Sequence, residues 1–443
     1  MDGVVYVKLW GTIIGVLGYE PGQTEIATFE YDKEFLKMGI SPSPLKLSIE
    51  SSIYSFENIS QRTFHGLPGF IADSLPDKFG NQLIDQYFAD KGVSPDKITA
   101  LDRLLYVNNR AIGALEYEPS KELTNGDIGA VLNIEALSEI AETLLLDKEK
   151  FRKKLHNTKD GRTAMNLLRV GSSAGGARSK ALVAMDNDGK LYDGTIQNKK
   201  ECRYFLLKFD SNNNSDRDNK DPKGITKVEY IYSLIAKECG IDIPYTTYIE
   251  TDDDFHFLIE RFDRVYYGSK LEKIHYVSWS GMAHADRDST GTYSYEQLVL
   301  CARELGLGQD SITEIFKRAV FNIVGRNQDD HAKNFGFLMD RSGKWRLSPA
   351  FDMTYSYDPT GKWTKVHQIK LNSKQSGFNI QDIYSFGKLC NISKKQATDI
   401  TKTTVYAFKK FENMAIKYKI DNHLRITVID NLRIDLINEL IQP

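Results

Sequence analysis

One helix in the last third of the chain constrains the fold more than any other local feature. Between residues 311 and 324 the apolar side chains recur with helical spacing and form one continuous stripe, made of Ile312, Ile315, Phe316, Ala319, Val320, Ile323 and Val324. Ser311 and Glu314 have the spacing of a capping box at its start, and Gly325 follows its end. The pattern predicts a rigid, buried helix that leads directly into the polar segment Asn327–Asn334.

This polar segment, NQDDHAKN, has the composition of a catalytic loop. Asp329 and Asn334 stand five positions apart, the spacing at which protein kinases place a catalytic base and a metal ligand. We therefore predict Asp329 as the base and Asn334 as a magnesium ligand, with Asp330 and Lys333 orienting the loop or the transferred phosphate. We count His331 as a hydrogen-bonding group near the nucleotide and not as a metal ligand, because no second histidine lies at ligand spacing. The alternative interpretation of the segment Asn327–Asn334 is a solvated turn without a catalytic role.

A further carboxylate, Asp352, lies in the largely apolar run LSPAFDM. It follows residues 335–347, whose pattern predicts a strand, a turn and a second strand. An isolated carboxylate is costly to bury unless it meets a cation, and Mg²⁺ prefers oxygen ligands. Asp352 is therefore predicted as a second magnesium ligand.

Two upstream segments are candidates for holding the phosphates of a nucleotide. Lys208 lies in the predicted strand YFLLKF, where a lysine either contacts the α- and β-phosphates or reaches water from an edge strand. The glycine-rich segment Gly171–Lys180 precedes another predicted strand, so its backbone N–H groups could converge on phosphate oxygens, with Arg178 and Lys180 adding charge. It lacks the Gly-Lys-Ser/Thr ending of a Walker A motif, and a plain turn is the alternative.

Composition narrows the class of protein only broadly. A chain of 443 residues can bury more than one core, and its net charge of −2 gives no overall attraction to nucleic acid or anionic membranes. No apolar run approaches the roughly 20 residues that cross a bilayer, and the first residues indicate strand, turn and strand, not a signal peptide. The cysteines form no CxxC pair, which favours reduced thiols in a cytoplasmic protein: Cys202, Cys239, Cys301 and Cys390.

Taken in order along the chain, these motifs resemble the HipA-type serine/threonine kinase family, toxins of bacterial type II toxin–antitoxin modules. In the N-terminal part the resemblance rests on Leu75–Gly80 and on Leu104–Pro119. Further along, the ATP-side loop is similar over Ser173–Lys180, and the hinge is similar over Glu260–Asp263. Asn327–Asn334 and the pair Phe351 and Asp352 match the family's catalytic and metal segments. The resemblance runs nearly end to end.

The resemblance implies ATP and Mg²⁺ as cofactors and assigns further contacts. Main-chain groups of Glu260 and Phe262 would meet the adenine, with Asp263 beside them. The ATP-side loop would contact the nucleotide through Ser173, Gly175, Gly176, Ala177, Arg178 and Lys180. Family members also autophosphorylate a serine of this loop, which ejects the loop and switches the enzyme off. Ser173 occupies that position, and Ser172 and Ser179 are neighbouring candidates.

The resemblance also implies partners. Family members phosphorylate a protein serine, and aminoacyl-tRNA synthetases are their known type of target. A small helix-turn-helix antitoxin of the HipB type neutralises the toxin, and the pair binds operator DNA. Two alternatives remain: a small-molecule or lipid kinase on the same scaffold, and a catalytically silent corepressor that binds an antitoxin.

The expected fold is α+β and protein-kinase-like, with two lobes and an additional N-terminal sub-domain. Residues 1–125 would form the β-rich N-terminal sub-domain. Residues 126–262 would form the nucleotide-binding lobe, and residues 263–443 an all-helical C-terminal lobe that carries the catalytic loop.

Overall fold

The structure is a computed structural model of the full chain. It describes residues 4–119, 129–157, 160–172, 178–198, 201–211, 213 and 222–439. The strands in these ranges, in chain order, are β1 (Val4–Leu9), β2 (Thr12–Tyr19), β3 (Ala27–Tyr31), β4 (Ile53–Ser55), β5 (Leu115–Glu118), β6 (Lys180–Met185), β7 (Leu191–Asp193), β8 (Arg203–Lys208), β9 (Thr246–Glu250), β10 (Phe255–Glu260), β11 (Arg264–Tyr267), β12 (Lys270–Lys273), β13 (His275–Ser278), β14 (Gly336–Met339) and β15 (Trp345–Leu347).

The helices of the described ranges vary from one turn to more than four turns. In chain order they are α1 (Lys33–Leu36), α2 (Gln61–Phe64), α3 (Gly69–Ala72), α4 (Lys78–Asp90), α5 (Ala100–Val107), α6 (Ile134–Leu146), α7 (Lys148–Leu155), α8 (Gly161–Gly171), α9 (Ile225–Glu238), α10 (Trp279–Ala283), α11 (Tyr295–Glu304), α12 (Gln309–Val324), α13 (Ile380–Leu389), α14 (Lys394–Phe408), α15 (Phe411–Lys417), α16 (Asn422–Asn431) and α17 (Leu436–Glu439). Short 3₁₀ turns cover Pro95–Lys97 and Ala332–Asn334.

The chain forms two compact units. The first contains residues 1–223, 248–277 and 339–343, and the second contains residues 224–247, 278–338 and 344–443. The three-part division expected from the sequence stays a prediction.

An antiparallel sheet forms the N-terminal part of the first unit, with strand order β4-β3-β2-β1-β5. Alternation along β1 shows why it forms: Val5 and Val7 are buried, whereas Val4 and Tyr6 on the opposite face are exposed. The β-rich N-terminal sub-domain is therefore confirmed.

A second sheet in the first unit has the order β7-β6-β8-β10-β9. Its apolar side chains share one core with residues of α4, α6 and α8, including Leu83, Leu144 and Leu167. Almost every side chain of β6 is buried, as expected for a strand covered on both faces.

The first unit also holds three strands that the sequence pattern did not indicate. After Asp263 the pattern predicts mainly helix, but β11, β12 and β13 occupy residues 264–278. The first two form a separate hairpin. Each of these strands has only four residues, RVYY and KLEK, too short a run for a period to be recognised.

The second unit is built around α12, whose side chains from Ile312 to Val324 are largely buried. The predicted capping box is wrong: the helix begins earlier, Gly308 is its N-cap, and Ser311 lies inside the first turn. Glu314 instead accepts hydrogen bonds from Arg318 Nε and from the main-chain N–H of Asp242, both at 2.9 Å. Glu314 thus bonds to Arg318 and to the backbone of Asp242, and not, as the local pattern predicts, to the start of the helix.

Gly325 ends α12, as predicted, but for a different reason than a left-handed turn. Its φ is −82°, which any residue can adopt. A Cβ atom at this position would lie 2.3 Å from the ring of Phe408, so close packing requires the glycine.

The second unit is mostly helical, but the expectation of an all-helical lobe over residues 263–443 is wrong. β11, β12 and β13 occupy 264–278, and β14 and β15 occupy 336–347, where the local pattern predicts strand, turn and strand. None of the helices in the described ranges has the length and apolar composition that crossing a lipid bilayer requires. All four cysteines are free and buried.

Candidate active site

The polar segment after α12 is anchored from its first residue. The main-chain N–H of Asn327 donates to the carbonyl of Asn322 at 3.0 Å, and its side-chain Nδ2 donates to Asn322 Oδ1 at 2.9 Å. Both residues are buried. The last turn of a rigid helix therefore sets the position at which the segment begins.

Asp330 is buried and fully engaged. Its Oδ2 accepts the hydroxyl proton of Tyr295 at 2.8 Å and lies 2.8 Å from Nδ1 of His367. A carboxylate can only accept, so Nδ1 carries the proton. Its Oδ1 accepts the main-chain N–H of Gln368 at 2.8 Å. With 1% of its surface exposed, Asp330 is a structural anchor.

Asp329, the next residue back, has a different environment. It is only partly buried, and its main-chain N–H donates to Ser356 Oγ at 2.9 Å. Its Oδ1 accepts a hydrogen bond from Nε2 of Gln368 at 2.8 Å. Among the described residues no side chain or main-chain group donates to its Oδ2. One carboxylate oxygen is thus held while the other stays available.

Asn334 faces Asp329 in a defined orientation. Its Nδ2 donates to the main-chain carbonyl of Asp329 at 2.7 Å. The assignment of amide O and N follows from this contact, and it directs Oδ1 away from the loop backbone. That oxygen is the atom a cation would use.

Asp352 has an unusual backbone conformation. Its φ is +53°, in the left-handed region that non-glycine residues seldom adopt and that clusters at functional sites. Its carbonyl accepts Nδ2 of Asn327 at 3.3 Å. Asn327, the first residue of the polar segment, therefore holds the backbone of Asp352 in place.

His331 lies in the same electrostatic environment as both carboxylates. Burial, together with the charge of Arg287, lowers the pKa of His331 to about 4, while Asp329 and Asp352 act in the opposite direction. The imidazole is therefore neutral near pH 7. In the described part of the chain no three His, Cys, Asp or Glu residues form a metal-binding group. Lys333 is partly buried.

In the first unit, Lys208 and Lys180 are direct cross-strand neighbours. Lys208 ends β8, Lys180 begins β6, and the two are paired in the antiparallel register. Directly opposed residues project to the same face, and only 6% and 2% of these two lysines is exposed. Nζ of Lys180 lies 3.5 Å from a carboxylate oxygen of Asp77. Two buried ammonium groups on one face form a site suited to an anion.

The rest of the glycine-rich segment is only partly described. Ser173, Gly175, Gly176 and Ala177 lie outside the described residues. Arg178 is partly buried. Ser172 and Ser179 are buried, with 0% and 1% exposed.

The predicted hinge contains one structural carboxylate. Asp263 is buried between two guanidinium groups, with Arg261 Nη2 at 2.8 Å and Arg264 Nη1 at 2.7 Å, and it accepts the N–H of Gly113 at 2.6 Å. Burial by itself would raise the pKa of Asp263, but these partners bring it below its ordinary value. Its side chain is therefore committed to internal partners.

The predicted hinge begins at the last residue of β10, Glu260. The N–H of Arg261 donates to the carbonyl of Tyr204 at 2.8 Å. The Glu260 carbonyl belongs to the same peptide group and points in the opposite direction, away from β8. The Glu260 side chain pairs with Arg203 at 2.8 and 2.6 Å.

Sequence reasoning missed the residues that support the loop. Tyr295, Ser356, His367 and Gln368 lie 27–39 positions from the aspartates they contact, and no local pattern marks them. Asn322 did carry a signal, because it is a polar residue on the apolar stripe of α12.

Comparisons with known proteins agree with this architecture. A family model described as HipA N-terminal domain matches residues 5–118, and one described as HipA-like C-terminal domain matches residues 172–411. The solved structure of HipA from Shewanella oneidensis MR-1, determined in a complex with HipB and operator DNA, aligns over 98% of this chain and 94% of its own, with a TM-score of 0.64 and 16% identity. That likeness shows the fold.

Two curated relatives match parts of the chain. A Haemophilus influenzae protein named "Putative kinase" is 29% identical over 140 residues, 28% of this chain and 39% of its own. A Sinorhizobium fredii protein named "Putative kinase Y4dM" is 23% identical over 205 residues, 42% of this chain and 48% of its own. The chain thus spans less than half the length of each. Since the C-terminal family model alone covers more than half of the chain, this protein belongs to the HipA family.

Proposed function

We propose that this chain is an ATP- and Mg²⁺-dependent serine/threonine protein kinase that acts as a growth-inhibiting toxin. The observation that carries the proposal is the contrast between two adjacent aspartates. Asp330 is buried with three hydrogen-bond donors, whereas Asp329 keeps one oxygen available beside Asn334. A loop built in this way presents one oriented carboxylate, which is what proton removal from a hydroxyl requires.

The proposed reaction uses Asp329 as the base. The oxygen of an acceptor serine attacks the γ-phosphorus of ATP while its proton passes to the Asp329 carboxylate. The bond between the γ-phosphorus and the bridging oxygen breaks, and ADP leaves. Positioning and charge neutralisation supply most of the acceleration of such a transfer.

Lys208 and Lys180 are the proposed phosphate contacts. The two lysines present buried ammonium groups on one face of a sheet, and the Asp77 carboxylate supplies one negative charge at Lys180. The several negative charges of a polyphosphate would be attracted to this pair. Lys208 is proposed for the α- and β-phosphates, with Arg178, Lys180 and residues 173–177 beside them. The peptide groups of Glu260 and Phe262 are proposed to meet the adenine, whereas Asp263 supports the backbone there.

Asn334 and Asp352 are the residues proposed to hold Mg²⁺, which neutralises phosphate charge when bound. The fit rests on two observations: the fixed amide of Asn334 and the left-handed backbone of Asp352. Mg²⁺ is commonly held by one or two protein oxygens together with substrate phosphates, so a pair of ligands suffices. His331 and Lys333 are proposed as neighbours of the phosphates, His331 as a neutral donor.

Ser173 is the proposed autophosphorylation site. Burial of Ser172 and Ser179 supports this choice, because a buried hydroxyl has no access to a γ-phosphate. A phosphate on the loop adds about −2 charge where ATP phosphates would bind, and so disfavours the active arrangement.

A helix-turn-helix antitoxin of the HipB type is the proposed partner. The support is the fold shared with a HipA that was solved together with HipB and operator DNA. Contact with DNA would then be indirect, in keeping with the net charge of −2. A protein serine, on an aminoacyl-tRNA synthetase, is the proposed target.

Phosphate mapping by mass spectrometry tests the proposal. The purified protein, incubated with ATP and Mg²⁺ alone and in a cell lysate, should gain phosphate on Ser173 and on at least one lysate protein. Asp329→Asn and Asp352→Asn should abolish both signals, while Asp399→Asn, at an exposed position of α14, should retain them. Labelled metabolites without labelled protein would favour a small-molecule kinase. No nucleotide binding at all would favour a silent corepressor.

A further inference from the structure

Gln368 is the residue that connects the two aspartates of the catalytic segment. Its side-chain Nε2 donates to Asp329 Oδ1, and its main-chain N–H donates to Asp330 Oδ1, both at 2.8 Å. Only 5% of Gln368 is exposed. The side chain of Gln368 thus contacts Asp329, the proposed base, and the backbone of Gln368 contacts Asp330, the structural carboxylate.

The backbone of Gln368 is itself held firmly. His367, the residue before it, contacts Asp330 Oδ2 through Nδ1, and the carbonyl of Gln368 accepts the N–H of Gly291 at 2.8 Å. Asp330 in turn accepts a hydrogen bond from the hydroxyl of Tyr295, and the same hydroxyl accepts one from Nδ2 of Asn322 at 2.9 Å. A continuous series of hydrogen bonds therefore runs from α12 through Asp330 to the main-chain N–H of Gln368.

From this geometry we propose that Gln368 is a positioning residue for the phosphotransfer reaction, an inference that rests on the proposed function. Its side-chain amide donates a hydrogen bond to Oδ1 of Asp329. This bond fixes the rotation of the carboxylate and leaves Oδ2 available to the acceptor hydroxyl. As the serine oxygen bonds to the γ-phosphorus and the bond to ADP breaks, the serine proton moves to Oδ2.

A merely structural role would have a different signature. Gln368 Oε1 also lies 3.3 Å from Thr290 Oγ1, so loss of the side chain could loosen the segment without affecting proton transfer. Structural damage would lower thermal stability and raise the KM for ATP together with the loss of kcat. Loss of the Asp329 contact alone would lower kcat while the KM for ATP and the thermal stability stay near the wild-type values.

The experiment compares Gln368→Met and Gln368→Glu with wild type. Met keeps the length but removes the donor, and Glu places a second carboxylate against Asp329. Gln381→Met, at an exposed position of α13, is the matched control. The readouts are kcat and KM for ATP and for the acceptor, with thermal unfolding as a check on folding.

For Gln368→Met we expect kcat to fall about 10- to 100-fold, with the KM for ATP within about twofold of wild type. Gln368→Glu, which replaces the donor by a carboxylate against Asp329, should lose at least as much kcat at a similar KM for ATP. Gln381→Met should match wild type. An unchanged kcat in a folded Gln368→Met variant, or a fall in kcat matched by a rise in the KM for ATP, would overturn the proposal. A wild-type protein without phosphotransfer would instead count against the proposed function.

Discussion

At the residue scale, Asp329 and Asp330 show how environment separates two identical side chains. Three donors surround Asp330 within the protein interior, so its charge is compensated by fixed dipoles. Asp329 receives one donor on one oxygen. Asp330 therefore holds the segment together, and Asp329 is the aspartate that we propose for chemistry.

A matched pair of substitutions separates these roles. Asp330→Asn puts an amide where donors converge, and unfolding free energy should fall by about 2–3 kcal/mol because a buried donor loses its acceptor. Asp329→Asn should change unfolding free energy by less than about 1 kcal/mol, since its bond from Gln368 survives, yet reduce phosphotransfer by about 10²–10⁴-fold. Urea unfolding and a phosphotransfer assay measure both. Equal destabilisation by the two changes would contradict the assignment.

At the element scale, the pairing of β6 with β8 brings two lysines together. Neither strand alone makes an anion site, and Lys208 by itself could be an edge-strand lysine. The register places Lys180 directly opposite it, and both are buried. Because β8 lies between β6 and β10, Lys208 is not an edge-strand lysine, and its contact with phosphates stays a proposal.

Lys208→Met tests this element. A nucleotide present at 100 times its dissociation constant stabilises the folded protein by about 2.7 kcal/mol, and we expect that gain to disappear in Lys208→Met. Without nucleotide the variant should remain folded, because methionine keeps the length and the apolar stem of the lysine. Lys190→Met, in the exposed turn after β6, should keep the full gain. Thermal unfolding with and without ATP–Mg²⁺ measures both.

At the scale of the whole molecule, contacts between distant parts of the chain define the fold. Asp263 accepts the N–H of Gly113, 150 positions earlier in the sequence, while Arg264 donates to the carbonyls of Gly113 and Ala111. One buried ionic cluster thus joins the end of the N-terminal part to the segment after β10.

This cluster should make stability depend on pH. The folded-state pKa of Asp263 lies below its ordinary value of roughly 4. Its contribution to the unfolding free energy is therefore complete above the ordinary pKa, and it decreases as pH falls from there through the folded-state pKa. Unfolding free energy measured in urea between pH 5 and pH 3 should therefore decline less steeply in Asp263→Asn than in wild type. The variant should also be weaker at pH 7 by about 3–5 kcal/mol, because two buried guanidinium groups lose their carboxylate. An unchanged slope would contradict the assignment.

Much of the fold follows from local pattern. The stripe on α12 predicts the helix and its end correctly, because side chains at helical spacing must share one face. Its beginning was predicted wrongly, since Glu314 pairs with Arg318 and the backbone of Asp242. Similarly, β11 and β12 are too short for a period to show. Local pattern is a good guide where burial is continuous, and a poor one where a tertiary partner decides.

By itself, the sequence determined the order of the HipA motifs, the helix that precedes the catalytic segment, and the choice of Asp329 by its distance from Asn334. Only the tertiary structure decided that Asp330 is buried, that Gln368 holds Asp329, and that Lys180 faces Lys208. The physical reason is separation along the chain. Spacing reports which residues share a short segment, whereas hydrogen bonds across 27–39 residues exist only once strands and helices have packed.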